Sequence, residues 1–314
     1  MQPSDRIGLR MKLSDLHVLI AVVQAGSMGK AAALLNTTQP AVSRSIAKLE
    51  RTIGVKLLVR NTQGVAPTEY GRALLDGGVA AFDNLRQAVK KIEFLADPMA
   101  GELRIGCTPI LAATFASTVV ARLSRRYPRI VFHFATAYLE PLRRELSERN
   151  LDLLIVRKFA PTVDEPVDFE PLFDDSYVVA AGVQNQWARR RGIKLAELAR
   201  EPWTLPPRES VIGALAMEAF RTNGLDYPRT TVVSDSPEVR ASLLTTGRFF
   251  TIFPASVLGL LKMRSEIKVL PIDLPTARVP NVIVTVKNRI LSPVAQLFIE
   301  QARELAKPLA RHKG

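Results

Sequence analysis

Gln39, Ser43, Arg44, Lys48 and Arg60 are side chains of the kinds that hydrogen-bond nucleic acid, and they fall close together near the front of the chain. Glutamine can bond adenine through two contacts, arginine can bond guanine in the same way, and serine can take a base or a phosphate. The first four lie on one side of a segment whose other side is Val42, Ile46, Leu49 and Ile53, the spacing of an amphipathic helix. They crowd its N-terminal half, the half that reaches base edges when a helix lies in a major groove. The net charge of +13 suits a polyanionic partner without establishing one. The local excess is more telling: residues 40 to 64 hold Arg44, Lys48, Arg51, Lys56 and Arg60 against Glu50 alone. A solvated polar face on a small helical domain would show some of the same residues.

The flanking sequence predicts the elements that would position this face. From Leu13, the spacing of Leu16, Leu19, Ile20 and Val23 predicts a helix that Gly26 ends. Ser27 is placed to cap a second helix, whose small face is Ala31, Ala32, Leu34 and Leu35. Asn36 to Thr38 makes a turn, with Thr38 as the next N-cap and Pro40 in the first helical turn, where its missing N–H costs nothing. After Gly54, the run VKLLVRNTQGVAPT reads as strand, turn and strand, a basic hairpin with Asn61 to Gly64 at its tip. Arg60 then stands where it can reach a phosphate or the minor groove.

From Pro67 to about Ala96, Leu74, Gly78, Ala81, Leu85, Ala88, Ile92 and Leu95 alternate spacings of four and three. This is the seam of two helices packed along their length, a dimer contact through Leu74, Ala81, Leu85, Ala88, Ile92 and Leu95. The alternative is that the stripe packs on its own domain. Gly77-Gly78 either bends the helix or permits close approach.

Asp97-Pro98 and Gly101 mark a boundary. Beyond it, strands over 102–107, 129–135 and 151–156 alternate with helices, a βαβαβ unit with a parallel sheet. A second unit follows, with strands at 177–182, 203–206, 230–234 and 249–254, and the run 279–287 returns to the first unit. Two such lobes hold small ligands at the carboxyl ends of their strands. That placement nominates Thr108 and Pro109, Thr136 and Tyr138, Arg208 and Ser210, and Ser234 and Ser236. Each serves equally well as an ordinary cap or loop residue, and Arg208 gains weight if the ligand is a carboxylate.

Other classes find little support. No GxSxG, P-loop, GxGxxG or HExxH pattern occurs, and the chain is expected to be non-catalytic and to need no cofactor. His17, His133 and His312 lack ligand spacing, so no metal site is expected. Cys107 alone excludes an intrachain disulfide and reads as a buried apolar residue. No run reaches the roughly 18 to 20 apolar residues of a membrane span, and the polar start lacks a secretory signal, so a cytoplasmic location is expected.

The first of these segments closely resembles the winged helix-turn-helix of the LysR-type transcriptional regulators. The matching motifs are GS-x3-AA, QPAVSRSI-x2-LE, IG-x2-LLVR and the T-x2-G of Thr68 and Gly71. Leu58 departs from the family's usual Phe, a matter of packing. The resemblance implies DNA contacts from Gln39, Pro40, Ser43, Arg44 and Arg60; Ser27, Thr38 and Lys48 join them from the helix starts and the same face. The later segment resembles the family's effector domain, itself similar to periplasmic binding proteins, through RIG-x-TP, ELSERNLDLLIV, EPWTLPP and FPAS, the last adding Pro254 to the cleft residues. EPWTLPP and ATAY look most like a subgroup regulating sugar or aromatic-acid metabolism.

The implied architecture is α/β with an all-α N-terminal part. It comprises a flexible arm over 1–11 (or an upstream start ahead of Met11), a winged helix-turn-helix over 12–70, a linker helix over 67–97 and a two-lobed effector domain over 98–314. Lobe I spans about 100–174 and 275–307, and lobe II about 175–274. The implied partners are double-stranded DNA at a near-palindromic promoter site, a sugar, sugar acid or aromatic acid as effector, a second copy in a dimer or tetramer, and RNA polymerase. An enzyme with a regulatory head and a solute-binding protein for transport are the rival readings.

Overall fold

The computed structural model describes residues 11–61, 64–158, 166–255, 265–272, 274 and 278–311. Residues 1–10 of the expected arm, the hairpin-tip residues Thr62 and Gln63, Ser256 of FPAS and His312 lie outside the described residues. The chain divides into two units, Met1–Val89 and Lys90–Gly314.

In the first unit, α1 (Leu13–Ala25), α2 (Met28–Leu34) and α3 (Gln39–Ile53) precede a hairpin of β1 (Leu58–Asn61) and β2 (Gly64–Pro67) and the start of the long helix α4 (Glu69–Ala96), whose residues from Lys90 onward are counted with the second unit. Gly26 and Gly54 end α1 and α3 in the left-handed conformation, at φ of 68° and 93°. The Ser27 hydroxyl accepts from the Lys30 amide at 3.1 Å, as a cap should. Thr38 departs from expectation: its backbone is extended, but its side chain caps nothing. Pro40 has no N–H to offer, and the Ala41 amide is already taken by the Thr38 carbonyl at 3.0 Å.

Leu16, Leu19, Val22, Ala31, Ala32, Val42, Ile46, Leu49 and Leu57 make the buried core. Leu34, expected on the buried face of α2, is instead 69% exposed. The alanines beside it bring the helices too close for a larger side chain to share that face.

The hairpin is fixed at its base. The Glu50 carboxylate accepts from the Leu57 amide at 2.9 Å and from Lys56 Nζ at 2.6 Å. Partial burial opposes its ionisation, but these donors outweigh that and hold its pKa below the ordinary value. Thr68 donates to the Lys56 carbonyl at 2.7 Å and accepts from the Gly71 amide at 3.0 Å. A Cβ on Gly71 would sit 2.0 Å from the Leu57 carbonyl oxygen.

Helix α4 divides its apolar residues between two tasks. Leu74, Leu75 and Phe82 pack on the first unit's core. A Cβ on Gly78 would come within 2.9 Å of Leu16, so this glycine lets α1 and α4 meet. Leu74 therefore leaves the expected dimer seam, because its own domain covers it. Ala88, Leu85, Ile92 and Leu95 are exposed, the last two at 66% and 71%.

In the second unit, β3 (Ala100–Cys107), β4 (Arg129–Thr136), β5 (Leu153–Arg157), β6 (Val167–Asp175) and β12 (Val279–Val286) form a sheet of order β4-β3-β5-β12-β6. Strands β3, β4 and β5 are parallel, and β12 runs antiparallel to β5 and β6. The second sheet has the order β11-β7-β10-β8-β9, from β7 (Tyr177–Gly182), β8 (Trp203–Leu205), β9 (Thr230–Val233), β10 (Phe250–Pro254) and β11 (Ile267–Val269). Sequence reasoning missed β6, whose alternation Pro171 interrupts, and β11, which is only three residues long. Helices α5 (Ser117–Arg126), α6 (Leu139–Ser147), α7 (Val211–Thr222), α8 (Pro237–Thr245) and α9 (Pro293–Arg311) complete the lobes. A five-residue π-helix, Ala112–Ala116, leads into α5.

Two glycines of α4, one open and one packed, generate a paired prediction. Ala in place of Gly should gain roughly 1 kcal/mol of helix propensity. Gly77 meets nothing within 4 Å, so Gly77→Ala should raise stability by about that amount. Gly71→Ala should instead lose about 1–3 kcal/mol, since the Leu57 carbonyl must move. Chemical denaturation of both variants checks the opposite signs.

Candidate functional site

The first candidate surface is the outer face of α3. Burial of Val42, Ile46 and Leu49 turns Gln39, Pro40 and Arg44 outward, and all three are exposed, with Ser43 half-buried beside them. Among the described residues the Arg44 guanidinium has no carboxylate within 4.0 Å and is not spent on the fold. Ser43 and Ala47 of α3 share a groove of about 200 Å³ with Val59 and Arg60 of the hairpin, so helix and wing border one surface. Ser27 serves as the α2 cap, and Thr38 is exposed at the start of α3.

Lys48 requires correction. Its ammonium lies 3.0 Å from Asp15, which also accepts from Ser45 at 2.6 Å. Burial opposes the ionisation of Asp15, yet these hydrogen bonds outweigh it and keep its pKa below normal. Lys48 thus fastens α3 to α1 instead of standing free toward a ligand. Its place on the helix wheel is right, but the partner from α1 could not be foreseen from spacing.

The second candidate is a cavity of about 570 Å³ in the second unit. Its walls are Thr108, Pro109 and Ile110 after β3, Tyr138, Leu139 and Glu140 after β4, and Val156 and Arg157 at the end of β5. Opposite them stand Pro206, Glu209 and Ser210 between β8 and α7, Ile212 in the first turn of α7, and Asp235, Ser236, Pro237, Glu238 and Arg240 at the start of α8. Both lobes therefore present the carboxyl ends of strands, where open α/β folds bind ligands.

Of the residues expected here, the structure brings together Thr108, Pro109, Tyr138, Ser210 and Ser236. Thr136, Arg208, Ser234 and Pro254 do not line the cavity. Thr136 ends β4 opposite Cys107 in the sheet. Arg208 lies 4.5 Å from the ring centre of Tyr227, a cation–π contact that draws it off the cavity wall. Ser234 accepts from the Ser236 amide at 3.2 Å, and Pro254 closes the buried β10 against Tyr177. Ser210 and Ser236 spend their hydroxyls on caps, accepting from the Gly213 and Val239 amides at 3.0 Å and 3.2 Å.

The strongest chemistry in the cavity comes from arginines that sequence reasoning missed. Arg157 is 5% exposed and lies 3.4 Å from Asp175. Arg240 is 1% exposed and donates to Thr251 Oγ1 at 3.2 Å and the Ile252 carbonyl at 3.1 Å. Among the described residues no carboxylate lies within 4.0 Å of its guanidinium, and its Nε has no acceptor. Desolvation pushes its pKa down to about 10. The Thr108 hydroxyl is also buried without a partner. Arg157 left a signal, a cation closing the apolar run LDLLIV. Arg240 left none, because it sits on the buried side of α8 with Ala241 and Leu244.

Tyr138 donates to Asp235 at 2.5 Å, joining the two walls. That hydrogen bond, with some desolvation, pushes the phenol up to about 12. Cys107 is fully buried, and desolvation raises its pKa, so it is no ready thiolate. No group of His, Cys, Asp and Glu among the described residues could hold a metal ion. No single helix among them is long and apolar enough to cross a membrane.

Comparison with known proteins agrees with this layout. Residues 13–72 match the family described as bacterial regulatory helix-turn-helix protein, lysR family, and residues 96–307 match the LysR substrate binding domain. The chain is 26% identical to the regulator TdcA of Escherichia coli over 295 residues, 93% of each chain. It is 26% identical to the E. coli regulator OxyR over 270 residues, 85% of this chain and 87% of that one. Among solved structures, a full-length OxyR variant from Pseudomonas aeruginosa superimposes with a TM-score of 0.68 at 21% identity, covering 97% of this chain and 99% of that one. CbnR in complex with its target DNA gives 0.55 at 22% identity, covering 94% and 100%. The match of both family descriptions in their proper order, over most of the chain, establishes that it belongs to the LysR family of DNA-binding transcriptional regulators with a substrate-binding effector domain.

Proposed function

We propose that this regulator reads a near-palindromic promoter site through α3 and the hairpin and responds to a carboxylate-bearing metabolite held in the cleft at Arg240. The observation that carries the effector half is a buried guanidinium facing a cavity with no carboxylate within 4.0 Å among the described residues. A charge removed from water is costly unless paired, and a ligand carboxylate can supply two parallel hydrogen bonds. Any ligand with a carboxylate meets that need, whether a sugar acid, an aromatic acid or an amino acid; a neutral sugar does not. The exposed residues Leu85, Ile92 and Leu95 on α4 support assembly with a second copy, as a dimer or tetramer with two recognition helices on two half-sites. A cytoplasmic regulator of this kind would act on RNA polymerase at the bound promoter.

Genome-wide mapping of bound DNA, followed by titration of the recovered site, tests the first half. Arg44→Ala should weaken discrimination against scrambled duplex by about 10- to 100-fold, or about 1–3 kcal/mol. Affinity should also fall steeply with salt as counterions are released. Unchanged discrimination in a Ser43→Ala, Arg44→Ala double variant would remove α3 from the interface. A thermal-shift screen tests the second half: carboxylates at about 100 times their Kd should add roughly 2.7 kcal/mol, whereas neutral sugars should add nothing.

A further inference from the structure

The charges around the cleft do not match a simple anion. Glu140, Glu209, Asp235 and Glu238 line it, against the two guanidinium groups of Arg157 and Arg240. Arg157 is already matched by Asp175 at 3.4 Å, and Glu140 by Arg143 at 2.9 Å. What remains is Arg240, with Asp235 and Glu238 near it at the start of α8 but neither within 4.0 Å, and Glu209 beyond β8. Asp235 accepts from Tyr138 and Glu238 from Ser236, both neutral donors, and Glu209 has no ion pair among the described residues.

A lone carboxylate bound at Arg240 would satisfy the cation and add one more negative charge to an acidic wall. An amine would neutralise the wall and leave the buried guanidinium unmatched. A dicarboxylate or a phosphate worsens the first problem. Only a ligand carrying both signs on a short frame answers both the guanidinium and the carboxylates.

We propose that the cleft takes a zwitterion of the α-amino-acid class. Its carboxylate would meet Arg240 and the unpartnered Thr108 hydroxyl, and its ammonium would meet Asp235 and Glu238. The carbon side chain lies against Ile110, Leu139, Val156 and Ile212, which line the same cavity. The volume of about 570 Å³ accommodates a small ligand with an apolar side chain. The Arg240 Nε without an acceptor and the buried Thr108 Oγ1 are independent of the acidic cluster, and both call for an acceptor such as a carboxylate oxygen. The proposal rests on the cleft being the effector site.

The test is calorimetry on the full-length protein with matched probes: the twenty L-amino acids, then, for each that binds, the carboxylic acid lacking its amino group and the amine lacking its carboxyl group. At least one amino acid should bind saturably, and at least 10-fold more tightly than its acid and its amine. Asp235→Asn and Glu238→Gln should each weaken the amino acid by 10-fold or more and leave the acid no weaker. Arg240→Lys should weaken amino acid and acid alike, with thermal denaturation confirming that the variant folds. A carboxylic acid that binds as tightly as its amino acid, with Arg240 dependence, overturns the zwitterion and preserves the effector cleft. Binding that ignores both Arg240 and the acidic wall overturns the cleft assignment itself, and no binding by any amino acid overturns the zwitterion.

Discussion

Helix α3 must keep Val42, Ile46 and Leu49 out of water, and the rest of the DNA-binding unit follows from that requirement. Each such side chain gains roughly 1.5–3 kcal/mol from burial, more than any single polar contact on the opposite face can offset. With that face fixed, Gln39 and Arg44 have no direction left but outward. Glu50 extends the same constraint to the hairpin, since it stands on α3 and receives the Leu57 and Leu58 amides. Thr68 and Gly71 then carry the constraint to α4 by closing on the Lys56 and Leu57 carbonyls. The family motif thus records a chain of hydrogen bonds and close approaches from α3 to the linker helix.

The effector unit reverses this logic. There the outward caps are structural, and the residues with chemistry to offer are buried. Ser210 and Ser236 satisfy the starts of α7 and α8, whereas Arg157 and Arg240 sit on the floor of the cavity with most of their surface removed from water. A guanidinium held there by backbone and hydroxyl oxygens keeps its charge but has no carboxylate within ion-pair distance among the described residues. That imbalance is a stronger pointer to a ligand than any loop residue, because structural burial of a cation normally comes with a partner.

Helix α4 shows how one periodic stripe can serve two surfaces. Its first half, with Leu74 and Phe82, belongs to the core of the DNA-binding unit, and Gly78 removes a side chain so that Leu16 fits. Its second half leaves Leu85, Ile92 and Leu95 exposed. A heptad pattern records that a face is apolar. It does not record what covers that face.

Sequence alone determined the elements whose signals are local: the amphipathic α3, the cap at Ser27, the glycine ends at Gly26 and Gly54, and the alternation of strand and helix through the effector unit. These depend on residues within a turn or two of one another, and their spacing states them directly. Tertiary structure alone decided which charges meet. Lys48 found Asp15 from another helix, Arg208 found the ring of Tyr227, and Arg240 was carried to a cavity whose other wall begins at Thr108. Such pairings join residues far apart in the chain, and a side chain's charge says what it needs without saying where the fold will supply it.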